Sequence, residues 1–239
     1  MLIQVTDSQC ASRSPSKRLV LLVLEVVAAV VALMVSVAAY GTWEERRRGR
    51  AYVAYSRERG YEYTTAFVGE GRPNEATRGL FEADDNPTWG PAISGTCNGV
   101  PFTAFECHWY HRGSNSFNDG IGAVRWTMDR TLPRFLMTSG RRLWTGDVLM
   151  RTYYDGEIIE FDDSPDFSRH YSIQGNDAAA VRALFTRDLR QALAVHSRCC
   201  VAGCGRELIW WRREMLPPAG VLDQFLLEGD RIRVLFARG

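Results

Sequence analysis

The pattern of apolar and polar positions is dominated by one continuous apolar stretch near the N-terminus. Leu19–Ala39 contains 21 residues, and Glu25 is its single charge. At about 1.5 Å per residue, a helix of this length covers roughly 31 Å, close to the hydrocarbon thickness of a bilayer. The pattern therefore predicts one transmembrane helix.

After residue 60 the apolar positions follow strand and helix spacings. Asn98-Gly99 between Ile93–Cys97 and Val100–His111 predicts a β-hairpin, and Ala123–Met128 alternates as a half-buried strand does. Further strands are predicted at Tyr61–Phe67, Arg134–Met137, Glu157–Phe161 and Arg169–Gln174, with a second hairpin formed by Cys199–Ala202 and Glu207–Arg212. Helices are predicted at 74–83, along a stripe from Val181 to His196 capped by Asn176 or Asp177, and at Ala219–Leu227, while residues 229–236 fit either a helix or a strand. This order indicates an α+β fold with a mainly antiparallel sheet and packed helices.

The same pattern divides the chain into four parts. Residues 1–18 are predicted to be a disordered N-terminal tail, 19–39 the transmembrane helix, 40–60 a basic juxtamembrane helix, and 61–239 one soluble α+β domain. A domain of this length can bury a substantial core.

The segment that follows the span has the composition of a membrane interface. Aromatic residues and a basic cluster come directly after the apolar stretch, namely Tyr40, Trp43, Arg46, Arg47, Arg48 and Arg50. The lipid bilayer is therefore the first expected partner. Lys and Arg number three before the span and six in the 20 residues after it, so the positive-inside rule predicts a single-pass protein of the cell membrane with a cytoplasmic domain.

A cleaved export signal is the alternative explanation of this N-terminus. Basic residues precede the stretch, Glu25 shortens the uninterrupted apolar run to Val26–Ala39, and Val37-Ala38-Ala39 resembles a cleavage site. In that case the domain would be exported.

One face of the span is a candidate for helix pairing. Glu25 lies on a stripe of small residues at helical spacing, formed by Ala28, Ala32, Ser36 and Ala39. Small residues let two helices approach closely, which predicts self-association or pairing with another membrane protein. The alternative is that alanine is simply common in such helices.

The charge balance and the cysteines limit the classes of function. Residues 40–239 hold 26 basic and 26 acidic groups, which argues against nucleic acid as a partner. Five of the six cysteines lie in the predicted domain, and Cys10 lies in the tail. An odd number at irregular spacing indicates a reducing compartment rather than a disulfide framework.

Cys107, His108 and His111 are the first candidates for metal binding or thiol catalysis. On a strand, Cys107 and His108 face opposite sides, and Cys107 and His111 lie roughly 13 Å apart. Because zinc ligands lie about 2 Å from the metal, these three residues cannot share one ion. We expect a buried cysteine beside two surface histidines.

The remaining candidates are a cysteine group, an acidic run and a tryptophan pair. A zinc site could use Cys199 or Cys200 together with Cys204 and His196, but this spacing matches no standard zinc motif and a fourth ligand would have to come from Cys97 or His170. The run Glu160, Asp162, Asp163 and Asp166 lacks the glycine and spacing of an EF-hand loop and is predicted to be a solvated turn. Trp210 and Trp211 are predicted to point one inward and one outward. The outward one would either pack against a helix or bind a partner or the membrane surface. We therefore expect no metal and no cofactor.

The order of the elements resembles a known group of proteins. The segments GVPFTAFECHWY, FDDSPDFSRHYSIQGNDAAAVRALFTRDLRQAL and ELIWWRREMLPPAGVLDQ follow an anchor with a basic flank. This arrangement resembles uncharacterised bacterial single-pass membrane-anchored proteins with one α+β domain of unknown function, over about residues 50–228. The resemblance implies a fold and a membrane location, and it carries over no catalytic residues.

These observations predict a membrane-anchored binding or scaffolding module with an unknown protein partner. The competing hypothesis is a membrane-tethered enzyme centred on Cys107 or on the Cys199–Cys204 group. An enzyme should gather titratable groups in one pocket. A binding module should expose an apolar or aromatic surface instead.

Overall fold

The computed structural model describes residues 15–67, 88–109, 119–139, 156–195, 199–212 and 214–238. The chain forms two compact units, Met1–Arg47 and Arg48–Gly239. The first helix, α1, extends without a break from Pro15 to Arg59, so the predicted span and the predicted basic segment are one helix. Pro15–Arg18, which were predicted to belong to the tail, are helical.

The second unit is built on one antiparallel sheet. Its strands are β1 (Glu62–Thr64), β2 (Thr88–Cys97), β3 (Val100–Trp109), β4 (Asp119–Ser139), β5 (Glu157–Ile159), β6 (Tyr171–Gly175) and β7 (Cys200–Arg212). The order is β1-β2-β3-β4-β6-β5, and β7 pairs with β4. The 21-residue strand β4 is the centre of the sheet: β3 pairs with its N-terminal half, β6 with its C-terminal half and β7 with both.

Four further helices are seen in the described part of this unit. They are α2 (Pro165–His170), α3 (Ala178–Leu184), α4 (Arg187–Val195) and α5 (Leu222–Arg238), which follows a 3-10 turn at Ala219–Val221. The Asp177 side chain accepts a hydrogen bond from the Ala180 N–H, as the predicted cap requires. The predicted α+β fold with a mainly antiparallel sheet is confirmed.

Both faces of the sheet are buried. Because side chains alternate along a strand, neighbouring residues belong to different clusters. One cluster contains Trp126 and Trp210 with the helices, and the other contains Phe105, Cys107 and Trp211. The two tryptophans of the pair thus face opposite sides of the sheet, as predicted, and both are buried in the core rather than one being exposed to a partner or the membrane surface.

The predicted hairpin around Asn98-Gly99 is confirmed. It connects β2 to β3, and both turn residues have positive φ, 50° and 78°. This is the backbone that Asn-Gly supplies at little cost.

The predicted second hairpin is wrong, because residues 200–212 form the single strand β7. Gly203 and Gly205 allow a close contact and a local irregularity instead of a turn. A Cβ on Gly203 would lie within 2.3 Å of the Phe135 ring, and Gly205, with φ of +59°, pairs with Leu132 where the register against β4 shifts. Glycine inside a strand often marks such a site.

Two other boundaries differ from the sequence predictions, and one alternative that the sequence left open is settled. The stripe from Val181 forms two helices, α3 and α4, rather than one. Residues 229–236 are helical within α5. Arg169 and His170 end α2, so strand β6 begins only at Tyr171. The predicted helix at 74–83, together with Cys10, His111 and His196, lies outside the described residues.

Candidate functional site

The apolar part of α1 has the properties of a membrane anchor. By length and composition it can cross a bilayer, and its side chains are exposed. The predicted pairing stripe is exposed as well, and Ser36 Oγ donates to the Ala32 carbonyl oxygen at 2.8 Å. Pairing through Glu25, Ala28, Ala32, Ser36 and Ala39 stays a prediction.

We expect Glu25→Leu together with Ala32→Ile to reduce self-association of the span at least severalfold. The larger side chain at position 32 would hold the helix backbones apart, and the leucine would remove the carboxylate from the stripe. A membrane reporter of helix association measures this, and Val31→Ile is a matched control on another face. Unchanged association in the double variant would remove the pairing hypothesis.

Aromatic and basic side chains lie together after the apolar stretch. The Tyr40 and Trp43 ring centroids are 5.9 Å apart, and the Arg47 guanidinium lies over the Trp43 ring at 5.4 Å. Arg46 and Arg50 are exposed. Their role at a membrane interface stays a prediction.

Arg48 differs from its basic neighbours because its contacts are within the second unit. Its guanidinium pairs with Glu106 Oε1, and it donates to Tyr52 Oη at 3.0 Å and to the Leu216 carbonyl oxygen at 2.9 Å. Glu106 is 2% exposed and Arg48 is 32% exposed. These protein contacts distinguish Arg48 from the other basic residues that were predicted to meet lipid head groups.

The Arg48–Glu106 pair lies in a part of the sheet with few side chains. His108 Nε2 is 3.6 Å from Glu106 Oε2. A Cβ on Gly90 would lie 2.9 Å from Glu106 Cβ, and one on Gly120 would lie 3.2 Å from His108 Nδ1. Gly90 of β2 and Gly120 of β4 thus leave room for the Glu106 side chain and the His108 imidazole.

The segment Glu214–Leu216 covers this region. The Gly122 N–H donates to the Glu214 carbonyl oxygen at 2.6 Å, and a Cβ on Gly122 would lie 2.4 Å from the Leu216 nitrogen. Glu106 is therefore buried beneath this segment, whereas the side chains of Arg48 and His108 are partly exposed. Sequence reasoning missed this charged cluster, although Glu106 in the apolar strand VPFTAFECHW was a signal, since a buried carboxylate requires a partner.

The described cysteines are buried or half-buried thiols. Cys107 is 0% exposed and lies in the cluster opposite to the face of His108, as predicted. Cys199 Sγ is 3.3 Å from Tyr171 Oη, and burial raises the pKa of the Cys199 thiol to about 11. A protonated thiol is a poor nucleophile and a poor metal ligand. Among the described residues no group of three or more His, Cys, Asp or Glu could hold a metal ion.

We expect the second unit to lose stability as the pH rises from 9 to 11. The unfolded thiol of Cys199 ionises near pH 9 and the folded thiol near 11, so the folded state retains the proton longer. That contribution is complete below pH 9 and falls by about 2 kcal/mol by pH 11. Denaturant unfolding of the detergent-solubilised chain measures it. The free energy of unfolding should fall less steeply with pH in Cys199→Ala. An identical pH dependence in the two proteins would contradict the raised pKa of Cys199.

The acidic run forms a turn whose shape is fixed by arginines. Buried Arg190 pairs with Asp163 and donates to Ser164 Oγ at 3.0 Å, and its guanidinium lies 4.5 Å from the centre of the Phe161 ring. Arg169 pairs with Asp166 at 3.3 Å on the surface. The predicted solvated turn therefore has one side held against α4.

Beside this turn lies a cleft of about 700 Å³. Its buried lining residues are mainly apolar, and most of its exposed lining residues are polar. It is lined by Ile158, Ile159, Glu160, Phe161, Asp162, Pro165, Ser168, Arg169, Tyr171, Ser172 and Ile173. Its size is in the range of ligand-binding clefts. Nothing in the hydrophobic pattern indicated it, because the cleft arises where β5, β6 and α2 meet.

The comparisons with known proteins give one structural similarity. No family model and no curated protein matches the chain. The crystal structure of the mycobacterial trehalose monomycolate transport factor A, TtfA, is similar with a TM-score of 0.49 and 10% sequence identity. The similarity covers 81% of this chain and 94% of that one. At this identity and TM-score, it supports no statement about ligand, partner or activity.

Proposed function

We propose that this protein is a single-pass membrane-anchored binding module, and that its α+β domain holds a protein partner in the cytoplasm. The observation that carries this proposal is the cleft of about 700 Å³ between β5, β6 and α2. Such a cleft, with mainly apolar buried lining residues and mostly polar exposed ones, is a usual binding site.

The chemistry of the described residues favours binding over catalysis. Glu106 is buried and its carboxylate is held by Arg48, and Cys107 and Cys199 are buried. The cleft is open and its rim carries Glu160, Asp162 and Arg169, with no described thiol or imidazole among its lining residues.

Photo-crosslinking in native membranes tests the proposal. A benzoylphenylalanine placed at Ile158, which lines the cleft and is 64% exposed, should give an adduct with a partner protein. The same probe at Val195, which is 82% exposed and outside the cleft, is the matched control. If the probes at the two positions gave the same crosslinked adducts, a binding role for the cleft would be contradicted.

The cytoplasmic location of the domain is a separate part of the proposal. The excess of Arg after the span supports it. Protease added to intact cells should leave the domain uncut, and permeabilisation should expose it. Cleavage in intact cells would place the domain outside.

A further inference from the structure

Strand β5 forms one end of the sheet. It pairs with β6, and no second partner strand is seen among the residues that the structure describes. An edge strand presents backbone N–H and C=O groups that can accept another strand. Ile158 in its middle position has a largely exposed side chain. This edge borders the cleft, whose lining includes Ile158 and Ile159.

The same edge carries acidic groups without counter-charges. Glu157, Glu160 and Asp162 are exposed, and none forms an ion pair within the described ranges. Their neighbours Asp163 and Asp166 are paired with arginines. Arg182, whose guanidinium donates to the Glu160 carbonyl oxygen, adds one positive charge beside these three carboxylates. The charge at this edge is therefore net negative, which makes it complementary to a partner with basic side chains.

The acidic turn is held in place before any partner binds. Arg182 Nη1 donates to the Glu160 carbonyl oxygen at 2.5 Å, and Ser168 Oγ donates to the Phe161 carbonyl oxygen at 3.1 Å. Arg190 Nη1 donates to the Phe185 carbonyl oxygen at 3.0 Å. A pre-ordered site loses less conformational entropy on binding.

We propose that β5 and its cleft bind, by strand addition, an extended segment of a partner protein in which basic and apolar residues alternate. Successive side chains of an added strand point to opposite faces. Glu157 and Ile158 point to opposite faces of β5, so one row would meet the carboxylate of Glu157 and the other the apolar side chain of Ile158. Basic residues at the end of the added segment would meet Glu160 and Asp162, which directly follow the strand. This rests on the proposed function and specifies the chemistry of the partner.

The probe is a fluorescent eight-residue peptide of alternating Lys and Val, with a Glu and Val peptide as its acidic counterpart. The full chain is held in nanodiscs of neutral phosphatidylcholine, and fluorescence anisotropy reports binding. The variant Glu157→Gln, Glu160→Gln, Asp162→Asn should bind the basic peptide about tenfold more weakly. It removes three exposed ion pairs that these carboxylates would form with the lysines of the peptide. A control that neutralises Glu58, Glu62 and Asp188 should bind as the unaltered protein does.

A second pair of variants tests the apolar contact. Ile158→Asp should weaken binding of the basic peptide, and Val195→Asp should leave it unchanged. Added salt should also weaken binding, since the charge pairs are exposed.

The outcomes separate this inference from the proposed function. If the probe at Ile158 gives a partner adduct in membranes but the basic peptide neither binds nor competes with that adduct, strand addition is overturned and the proposed function stands. Equal binding of the acidic peptide, or an adduct with a second copy of this chain, also overturns it. Absence of any adduct at Ile158 contradicts the proposed function itself.

Discussion

Replacing Arg48 with Met should lower the free energy of unfolding of the second unit by about 3 kcal/mol. Glu106 is 2% exposed and would lose its guanidinium partner, while the Leu216 carbonyl oxygen would lose a donor. Removing one member of a buried ion pair leaves a charge whose desolvation is not compensated. Denaturant unfolding of the detergent-solubilised chain, followed by tryptophan fluorescence, measures the loss.

Two comparisons make this prediction specific to the buried pair. Arg47→Met, at an exposed arginine paired with Glu44 at 3.7 Å, should change the free energy of unfolding by no more than about 0.5 kcal/mol. Arg48→Met combined with Glu106→Gln should recover part of the loss, because the uncompensated charge is gone. If Arg48→Met lowers the free energy of unfolding no more than Arg47→Met does, then Glu106 does not depend on Arg48 as its partner.

Gly122→Ala should destabilise the second unit by about 3 kcal/mol. A Cβ at this position would lie 2.4 Å from the Leu216 nitrogen and 2.7 Å from the Met215 carbonyl carbon. Both are backbone atoms, so no side-chain rotation relieves the overlap. The covering segment would have to move away from β4, and the hydrogen bond from the Gly122 N–H to the Glu214 carbonyl oxygen would break.

Gly220→Ala is the matched control for this substitution. A Cβ on Gly220 would have no atom of the described residues within 4 Å, and the φ of Gly220 is not positive. Alanine there should therefore be neutral or slightly stabilising. Equal stability of the Gly122 and Gly220 variants, measured by the same denaturant unfolding, would mean that Glu214–Leu216 does not pack on β4 as described.

Local chemistry explains which parts of the fold could be predicted from the sequence. The apolar stretch, the Asn98-Gly99 turn and the cap at Asp177 depend on a few adjacent residues, so they could be identified directly. The single strand at residues 200–212 could not be predicted in this way, because a glycine there allows close contact with Phe135 on β4 rather than forming a turn. The burial of both Trp210 and Trp211 could not be settled from the sequence either, because it does not indicate that both sheet faces are covered.

The candidate sites depend even more on long-range contacts. Arg48 was predicted to meet lipid because its neighbours in sequence are arginines, whereas its partners Glu106 and Leu216 are 58 and 168 residues away. The strands and the turn that supply the lining residues of the cleft were predicted. The packing of these elements against one another, which forms the cleft, was not. Local patterns indicate faces of elements, and only the packing of those elements creates a cleft.

The most direct test of the membrane anchor is the partition of the intact chain between membrane and soluble fractions, with the N-terminal residue of the recovered protein determined. We expect the chain to stay in the membrane pellet after alkaline carbonate extraction and to retain the residues from Leu19 to Ala39. Recovery in the soluble fraction, or a mature N-terminus near Tyr40, would contradict a membrane-anchored module.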